Sequence, residues 1–583
     1  MYLCAMNCNI KNTFWALLAV VILTTFPFLG MYDFHTKGEP REAVVAHSIL
    51  ESGNWILPTN NGGEIPYKPP FFHWCIAAVS MPLGEVTEAS SRMPSAIAMT
   101  CLVMGAFVFY AKRKSLKVAL AAGVMLLLSM EMHRSASNCR VDMMLAAFSW
   151  GAMALMFRWW EKGMKGIPWA AVLMMTLGTL TKGPVGSIVP CVAMGGFLLL
   201  KKEPFYKAFL RMLFLGILSL IIPALWYYAA YLQGGKEFLD LAYEENIGRM
   251  THTMDYEPHV HPWFYPIFFV LFGMLPFTLV PIFALWSREG KKVSLHGGIK
   301  SLWARLTVWI QGLDDVTLFS MASAVLILVF YCIPSSKRAV YIMPMYPFLC
   351  YFTSSLMFWL SDKGKRSLSV FTDVVSVLIL VITGLWMILS LCSRWLTYDF
   401  LHQFMGSSEV TSVLALTGVT KWWHILIILT MAFFAIWWWV EKKKNRKDGA
   451  LWYSLFLVLI AYVSIDGCFK PAALNAKSVK DVAARIDKVC PESTCTLYEY
   501  IEDAEMALGD PIHYFELNFY LGDRIRNFKK EAPKEGFLMI GDKDFELRKP
   551  VFEAGGYRFD SPVYISDKKI IKQIMSVYPF RRD

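Results

Sequence analysis

Long apolar runs alternate with short, strongly basic loops along most of this chain, and that alternation constrains its fold more than any other feature. A run of roughly 18 or more apolar residues can cross a hydrocarbon core about 30 Å thick. Apolar stretches fall near 13–31, 93–111, 115–132, 141–157, 168–180, 184–200, 209–231, 263–286, 317–334, 339–360, 370–391, 422–440 and 450–466. The pattern predicts a mainly α, polytopic transmembrane helical bundle of about 13 spans, with 168–180 the shortest. Composition agrees: 56% of the 583 residues are hydrophobic and only 18% are charged, against about a quarter in ordinary soluble proteins. No small-residue cleavage site follows the first run, which therefore reads as a retained helix and not a signal peptide.

Loop charge sets the expected orientation. With a cytoplasmic N-terminus the inner loops are 111–117, 158–165, 201–211, 287–305, 361–366 and 441–448, and they hold 24 Lys and Arg in 59 residues. The outer loops, 33–92, 131–140, 181–184, 233–262, 334–338 and 392–421, hold 13 in 139. Basic residues stay on the side of synthesis, so the N-terminus is expected in the cytoplasm and, after an odd number of spans, the C-terminus outside. The net charge of +11 follows from this asymmetry and suits anionic lipid headgroups; it calls for no nucleic acid.

Two domains are expected: a transmembrane domain over 1–469 and a small extracytoplasmic α/β soluble domain over 470–583. In the second, Leu474, Val479, Val482, Ile486 and Val489 recur at helical spacing, and the runs 536–541 and 562–566 read as strands. No catalytic motif is visible there. An oxidising compartment would permit a Cys490–Cys495 disulfide, a pairing whose geometry sequence does not fix. No cysteine spacing resembles a zinc site.

Two outer loops are longer than connectors need to be, and long loops on a rigid scaffold are where function concentrates. Loop 33–92 carries Trp55, Phe71, Phe72 and Trp74, which suits short interfacial helices. It also holds Glu39 and Arg41 just beyond the first span, and Lys68 ahead of the stiff Pro69-Pro70 pair. Asp142 stands at the mouth of the fourth span, Lys182 in the turn between spans five and six, and Lys337 and Arg338 between spans nine and ten. Singly, each has an ordinary reading as a local ion pair, a headgroup anchor or a helix cap. Together they put carboxylates and cations on one face. Glycosyl transfer from a lipid phosphate needs both: a carboxylate to take the proton of the attacking hydroxyl and cations to stabilise the departing phosphate.

The motifs GEPREA at 38–43, SGNWILP at 52–58, YKPP at 67–70, SRMPSA at 91–96, RVDMML at 140–145, GTLTKGP at 178–184, HPWFYP at 261–266 and SSKRAVYIMPMYP at 335–347 follow one another in an order that resembles the GT-C type membrane glycosyltransferases. The likeness covers roughly 10–360 and is strongest to the aminoarabinose (lipid A) transferases, with the protein O-mannosyltransferases more distant. It implies an inverting transfer from a polyprenyl-phosphate sugar to a lipid, glycan or protein hydroxyl at the outer face of a bacterial inner membrane. It implies Glu39 and Asp142 as catalytic acids, and Arg41, Lys68, Lys182, Lys337 and Arg338 near the donor phosphate. Glu42, Glu245 and Arg249 are secondary members.

The chain departs from the family at three places. The leading acid of the first motif is replaced by Gly38, so Glu42 competes with Glu39. Tyr67 stands where lipid A transferases often have Glu, and Glu245-Asn246 where a Glu-His pair is expected. Glu and His are metal-ligating types, so the last two changes weaken the case for a divalent metal, and no cofactor is firmly implied. They also point to a sugar other than aminoarabinose. The competing readings are a polytopic lipid or solute transporter, which would place its charges near the midplane, and a non-catalytic assembly partner.

Overall fold

The computed structural model describes residues 2–583 apart from 62, 67, 249–259, 288–307, 501–512 and 571–572, with the side chains of 2–8, 247 and 248 also left out. The chain is mostly helical, and every one of the apolar stretches falls on helix. In chain order these begin with α1 (Tyr2–Thr25), α2 (Gly38–Ser52), α3 (Phe71–Ser80), α4 (Glu88–Arg113), α5 (Leu116–Leu128), α6 (Met130–Ala136), α7 (Val141–Glu161), α8 (Trp169–Lys182), α9 (Val185–Leu200) and α10 (Phe205–Tyr243). Among the described residues eight helices are long and apolar enough to cross a membrane, or nine if α5 and α6, bent by 65°, form one span. The other expected spans are shorter or broken. The stretch 263–286 is two helices, Tyr265–Gly273 and Leu279–Trp286, and 339–360 opens as a 3-10 turn before Tyr346–Asp362.

Local chemistry explains where the site-bearing helices begin. A reciprocal cap starts α4: Thr87 Oγ1 accepts from the Ser90 N–H at 3.1 Å, and Ser90 Oγ accepts from the Thr87 N–H at 2.9 Å, satisfying two donors that a helix start leaves open. Arg140 is extended, and α7 follows at once with Asp142 in its first turn, where the helix dipole favours a carboxylate. α8 ends at Lys182, Gly183 turns the chain at φ +82°, and Pro184 leads into α9. α8 and α9 then approach so closely that a Cβ on Gly186 would lie 2.3 Å from the Gly178 backbone.

The basic loops gather at one end of the bundle. Arg113 pairs with Glu161, Lys114 with Asp314, Lys201 with Asp315, Lys117 with Asp448 and Lys447 with Asp362. Five of the six loops expected on the inner side are thereby tied together; most of the sixth, 287–305, lies outside the described residues.

At the other end sits a small α/β unit. Its sheet runs β2 (Ile525–Asn527), β1 (Leu497–Glu499), β3 (Glu535–Gly541), β6 (Gln573–Arg582), β4 (Tyr557–Phe559), with β5 (Tyr564–Ile570) also on β6. β1 pairs in parallel with β2 and β3, while β6 is antiparallel to β3, β4 and β5. Val482 and Ile486 face its core from the helix Lys480–Val489. Val489 does not join them, because it ends the helix and is exposed, and Leu474 belongs to the separate helix Lys470–Asn475. Cys490 and Cys495 are free thiols. The unit docks on the first long loop: Phe34 stacks edge-on against Phe519 at 4.8 Å, its N–H donates to Tyr520 Oη at 3.0 Å, and Lys480 pairs with Glu88 at 3.3 Å.

Candidate active site

Four segments bring their charges together at the end bearing the α/β unit. α2 supplies Arg41 and Glu42, the turn before α3 supplies Lys68, α7 supplies Asp142, and the end of α8 supplies Lys182. Glu42 is buried and accepts from Lys68 and, at 3.0 Å, from Arg41 on Oε1, while His73 Nε2 donates to Oε2 at 2.8 Å. Asp142 pairs with Lys182, and that ammonium also lies 4.1 Å from the Tyr341 ring centre. Lys68 lies close enough to Asp142 for the two charges to interact, so the two ion pairs form one patch.

Burial and charge oppose each other there. Burial alone would raise the Glu42 carboxyl; Lys68, Arg41 and the His73 hydrogen bond outweigh it and hold the group well below the usual carboxylate range. Burial dominates at Lys68 and lowers its ammonium to about 8, against the pull of Glu42. A buried ammonium lowered toward neutrality beside a cleft marks a candidate functional group.

The patch opens on a cleft of about 360 Å³ lined by Lys68, Lys182, Glu245, Asn246, Tyr331 and Tyr341 among others. Pro184 and Ile188 are shared with a second, almost wholly apolar groove of about 490 Å³ between α9 and α10. A mostly apolar cleft carrying the cations Lys68 and Lys182 thus adjoins an almost wholly apolar groove, a shape suited to an amphiphile with an anionic head and a long tail.

Glu39 is placed elsewhere. It is 1% exposed, and both of its oxygens take hydrogen bonds from Arg92, at 2.8 and 3.2 Å, while Oε1 also accepts the Cys139 N–H at 3.0 Å. Arg92 is wholly buried, donates to the carbonyls of Leu29 and Tyr32 at 2.7 Å, and lies 3.9 Å from the Tyr32 ring centre. The pair joins the end of α1, the start of α2, α4 and the residues before α7. The first-loop acid that meets the cations is Glu42, ranked second from sequence.

Lys337 is buried and donates to the carbonyls of His261 at 3.0 Å and Ser335 at 3.4 Å, tying the loop around 261 to the turn before Arg338. Neither Lys337 nor Arg338 lines the cleft, although their neighbours Pro334 and Ser336 do. Arg249 and Tyr67 lie outside the described residues.

Arg92, His73 and Tyr341 were not singled out from sequence; Asn246 was noted only as a departure from an expected Glu-His pair. Arg92 carried a usable signal: an arginine at the very edge of an apolar run needs an acid partner if it is drawn inward, and the acid it takes is Glu39, which the sequence had assigned to catalysis. His73 sits among aromatic residues with no such cue.

Residues 67–227 match the family model described as dolichyl-phosphate-mannose-protein mannosyltransferase, a stretch that includes Lys68, Asp142 and Lys182. The chain is 24% identical over 362 residues to an uncharacterised protein of Aquifex aeolicus, covering 61% of this chain and 66% of the relative. It is 23% identical over 366 residues to the undecaprenyl phosphate-alpha-4-amino-4-deoxy-L-arabinose arabinosyl transferase of Aeromonas salmonicida, covering 61% of this chain and 62% of that protein. The matches therefore span just under two thirds of these curated relatives. The crystal structure of ArnT from Cupriavidus metallidurans bound to undecaprenyl phosphate superposes with a TM-score of 0.67 over 97% of both chains at 16% identity. The apo form of the same protein gives 0.64. The chain has the fold of the GT-C type glycosyltransferases, as its motifs suggested.

Proposed function

We propose that this chain, a GT-C type membrane protein by fold, transfers a sugar from a polyprenyl-phosphate donor to a hydroxyl of a lipid, glycan or protein, with inversion at the anomeric carbon. The observation that carries this reading is the patch of Arg41, Glu42, Lys68, Asp142 and Lys182, two of whose cations, Lys68 and Lys182, line a cleft that adjoins an apolar groove. The donor phosphate sits among Lys68, Lys182 and Arg41, and its isoprenoid tail follows Pro184 and Ile188 between α9 and α10. ArnT of C. metallidurans, with the same fold, was crystallised with undecaprenyl phosphate.

The ion pairs Lys68–Glu42 and Lys182–Asp142 suggest how the chemistry is prepared. Each carboxylate holds a cation in place before the donor arrives. An incoming phosphate competes for Lys182 and Lys68, and as Lys182 turns to it, Asp142 is released to accept the proton of the acceptor hydroxyl. That hydroxyl oxygen bonds to the anomeric carbon while the bond to the phosphate oxygen breaks, and the cations take up the growing negative charge. Glu42, held by three donors, orients Lys68 and Arg41 instead of acting as the base. Glu39 positions α2 through Arg92.

We further infer that the thirteen apolar segments all belong to the membrane domain (1–469), that the helices of loop 33–92 lie at the interface, and that the basic-loop end is cytoplasmic. The site and the domain 470–583 then face the periplasm of a bacterial inner membrane. The protein reconstituted with a panel of polyprenyl-phosphate sugars and lipid, glycan and peptide acceptors should transfer at least one sugar. Movement of the donor lipid between leaflets without any transfer would favour the transporter reading instead.

A further inference from the structure

We propose that a further groove, distinct from both the reactive cleft and the α9–α10 groove, holds an anionic glycerophospholipid drawn from the leaflet beside the basic loops. This groove, of about 760 Å³, runs between α3, α4, α7 and α8. Along α4 its wall extends from Pro94 to Arg113, a rise of about 28 Å at 1.5 Å per residue, close to the roughly 30 Å of a hydrocarbon core. Small side chains on the facing helices open it: Ala98 and Gly105 on α4, Gly151 and Ala154 on α7.

The two ends differ in charge. Near the reactive end the walls are Phe71, Val79 and Pro94; at the other they are Lys112, Arg113 and Arg158. Arg113 is already held by Glu161, with contacts of 2.8 and 2.6 Å. Lys112 and Arg158 are exposed and have no ion-pair partner among the described residues. An apolar trough that ends on two unneutralised cations at the interface is complementary to an acyl chain with an anionic head. A zwitterionic lipid would fill the trough equally well but gain little from those cations, each worth a few-fold in affinity for anionic lipid.

The donor carrier is a poorer occupant. The cations of the reactive patch lie at the opposite end of the bundle, and the apolar groove that meets them is the one between α9 and α10. The two grooves thus separate a phosphate-headed carrier on one side of the membrane from a structural lipid on the other.

Native mass spectrometry of the delipidated full chain in detergent tests this, using phosphatidylglycerol and phosphatidylcholine with identical acyl chains. Wild type should retain one phosphatidylglycerol in clear preference to phosphatidylcholine. Lys112→Gln with Arg158→Gln should reduce that preference roughly tenfold or more, while Ala154→Phe, which fills the trough, should abolish retention of both lipids. Equal retention of the two lipids by wild type, or a preference unchanged by the double variant, would overturn the proposal. Retention unaffected by Ala154→Phe would equally overturn the assignment to this groove.

Discussion

Glu39 and Glu42 stand three residues apart on one helix, both buried, yet their surroundings give them different work. Glu39 faces the Arg92 guanidinium, which has no other acid among the described residues, so Glu39→Gln leaves a buried, uncompensated Arg92, a loss of about 3–5 kcal/mol. Thermal unfolding should show that loss, and the folded fraction should still bind donor. Lys68 makes a pH-dependent contribution. Its ammonium is lowered to about 8, so donor affinity should fall as pH rises through that value. Lys68→Arg, whose guanidinium stays charged, should flatten the profile; a wild-type affinity constant from pH 7 to 10 would remove Lys68 from the phosphate site. Sequence singled out Asp142 and Lys182 because each is a charge at the edge of an apolar run, and Lys68 because it stands ahead of the stiff Pro69-Pro70 pair; the fold brings the three together. It could not separate Glu39 from Glu42, since only the position of Arg92, more than fifty residues later, decides which acid turns inward.

α8 and α9 are held together through bare backbone, and the turn between them carries Lys182. Thr179 and Ser187 share a hydrogen bond at 2.8 Å and Ser187 meets Ser219 on α10 at 2.7 Å, so the three helices form one polar seam. Gly186→Ala would force α9 off α8, because the atoms in its way are backbone atoms of Gly178 and Thr179. A cost of about 1–3 kcal/mol is expected for such overpacking, with donor affinity reduced more than thermal stability alone would account for. Unchanged donor affinity in the folded variant would show that the seam does not set Lys182. Apolar runs and positive loops revealed where these helices lie, since both follow from the cost of burying charge in lipid. They did not reveal breaks such as those at 273–279 and 339–345, because a broken helix and a straight one present the same mean hydropathy.

The whole molecule is a helical bundle with its ion-paired basic loops at one end and its charged cleft at the other, where the α/β unit docks on the first long loop. That docking involves groups sensitive to pH. His513 lies between Glu499, at 2.9 Å, and Glu64 of the first loop, at 3.4 Å; burial would lower its pKa, but these acids outweigh burial and raise it. Burial lifts Glu516 and Asp523 to about 7. All three favour their protonated forms when docked, so docking should be strongest in mild acid and weaken as pH rises through about 7. Hydrogen exchange of 513–527, corrected for intrinsic rates, should be faster at pH 8 than at pH 6, and His513→Gln should reduce the difference. The central claim concerns the charged patch of Glu42, Lys68, Asp142 and Lys182. Its most direct test is the single-turnover rate of sugar transfer from a polyprenyl-phosphate donor by wild type and by Asp142→Asn, alongside donor affinity. The variant should lose on the order of 10²–10⁴-fold in rate while still binding donor; transfer at a near wild-type rate would contradict the assignment of Asp142 as the base.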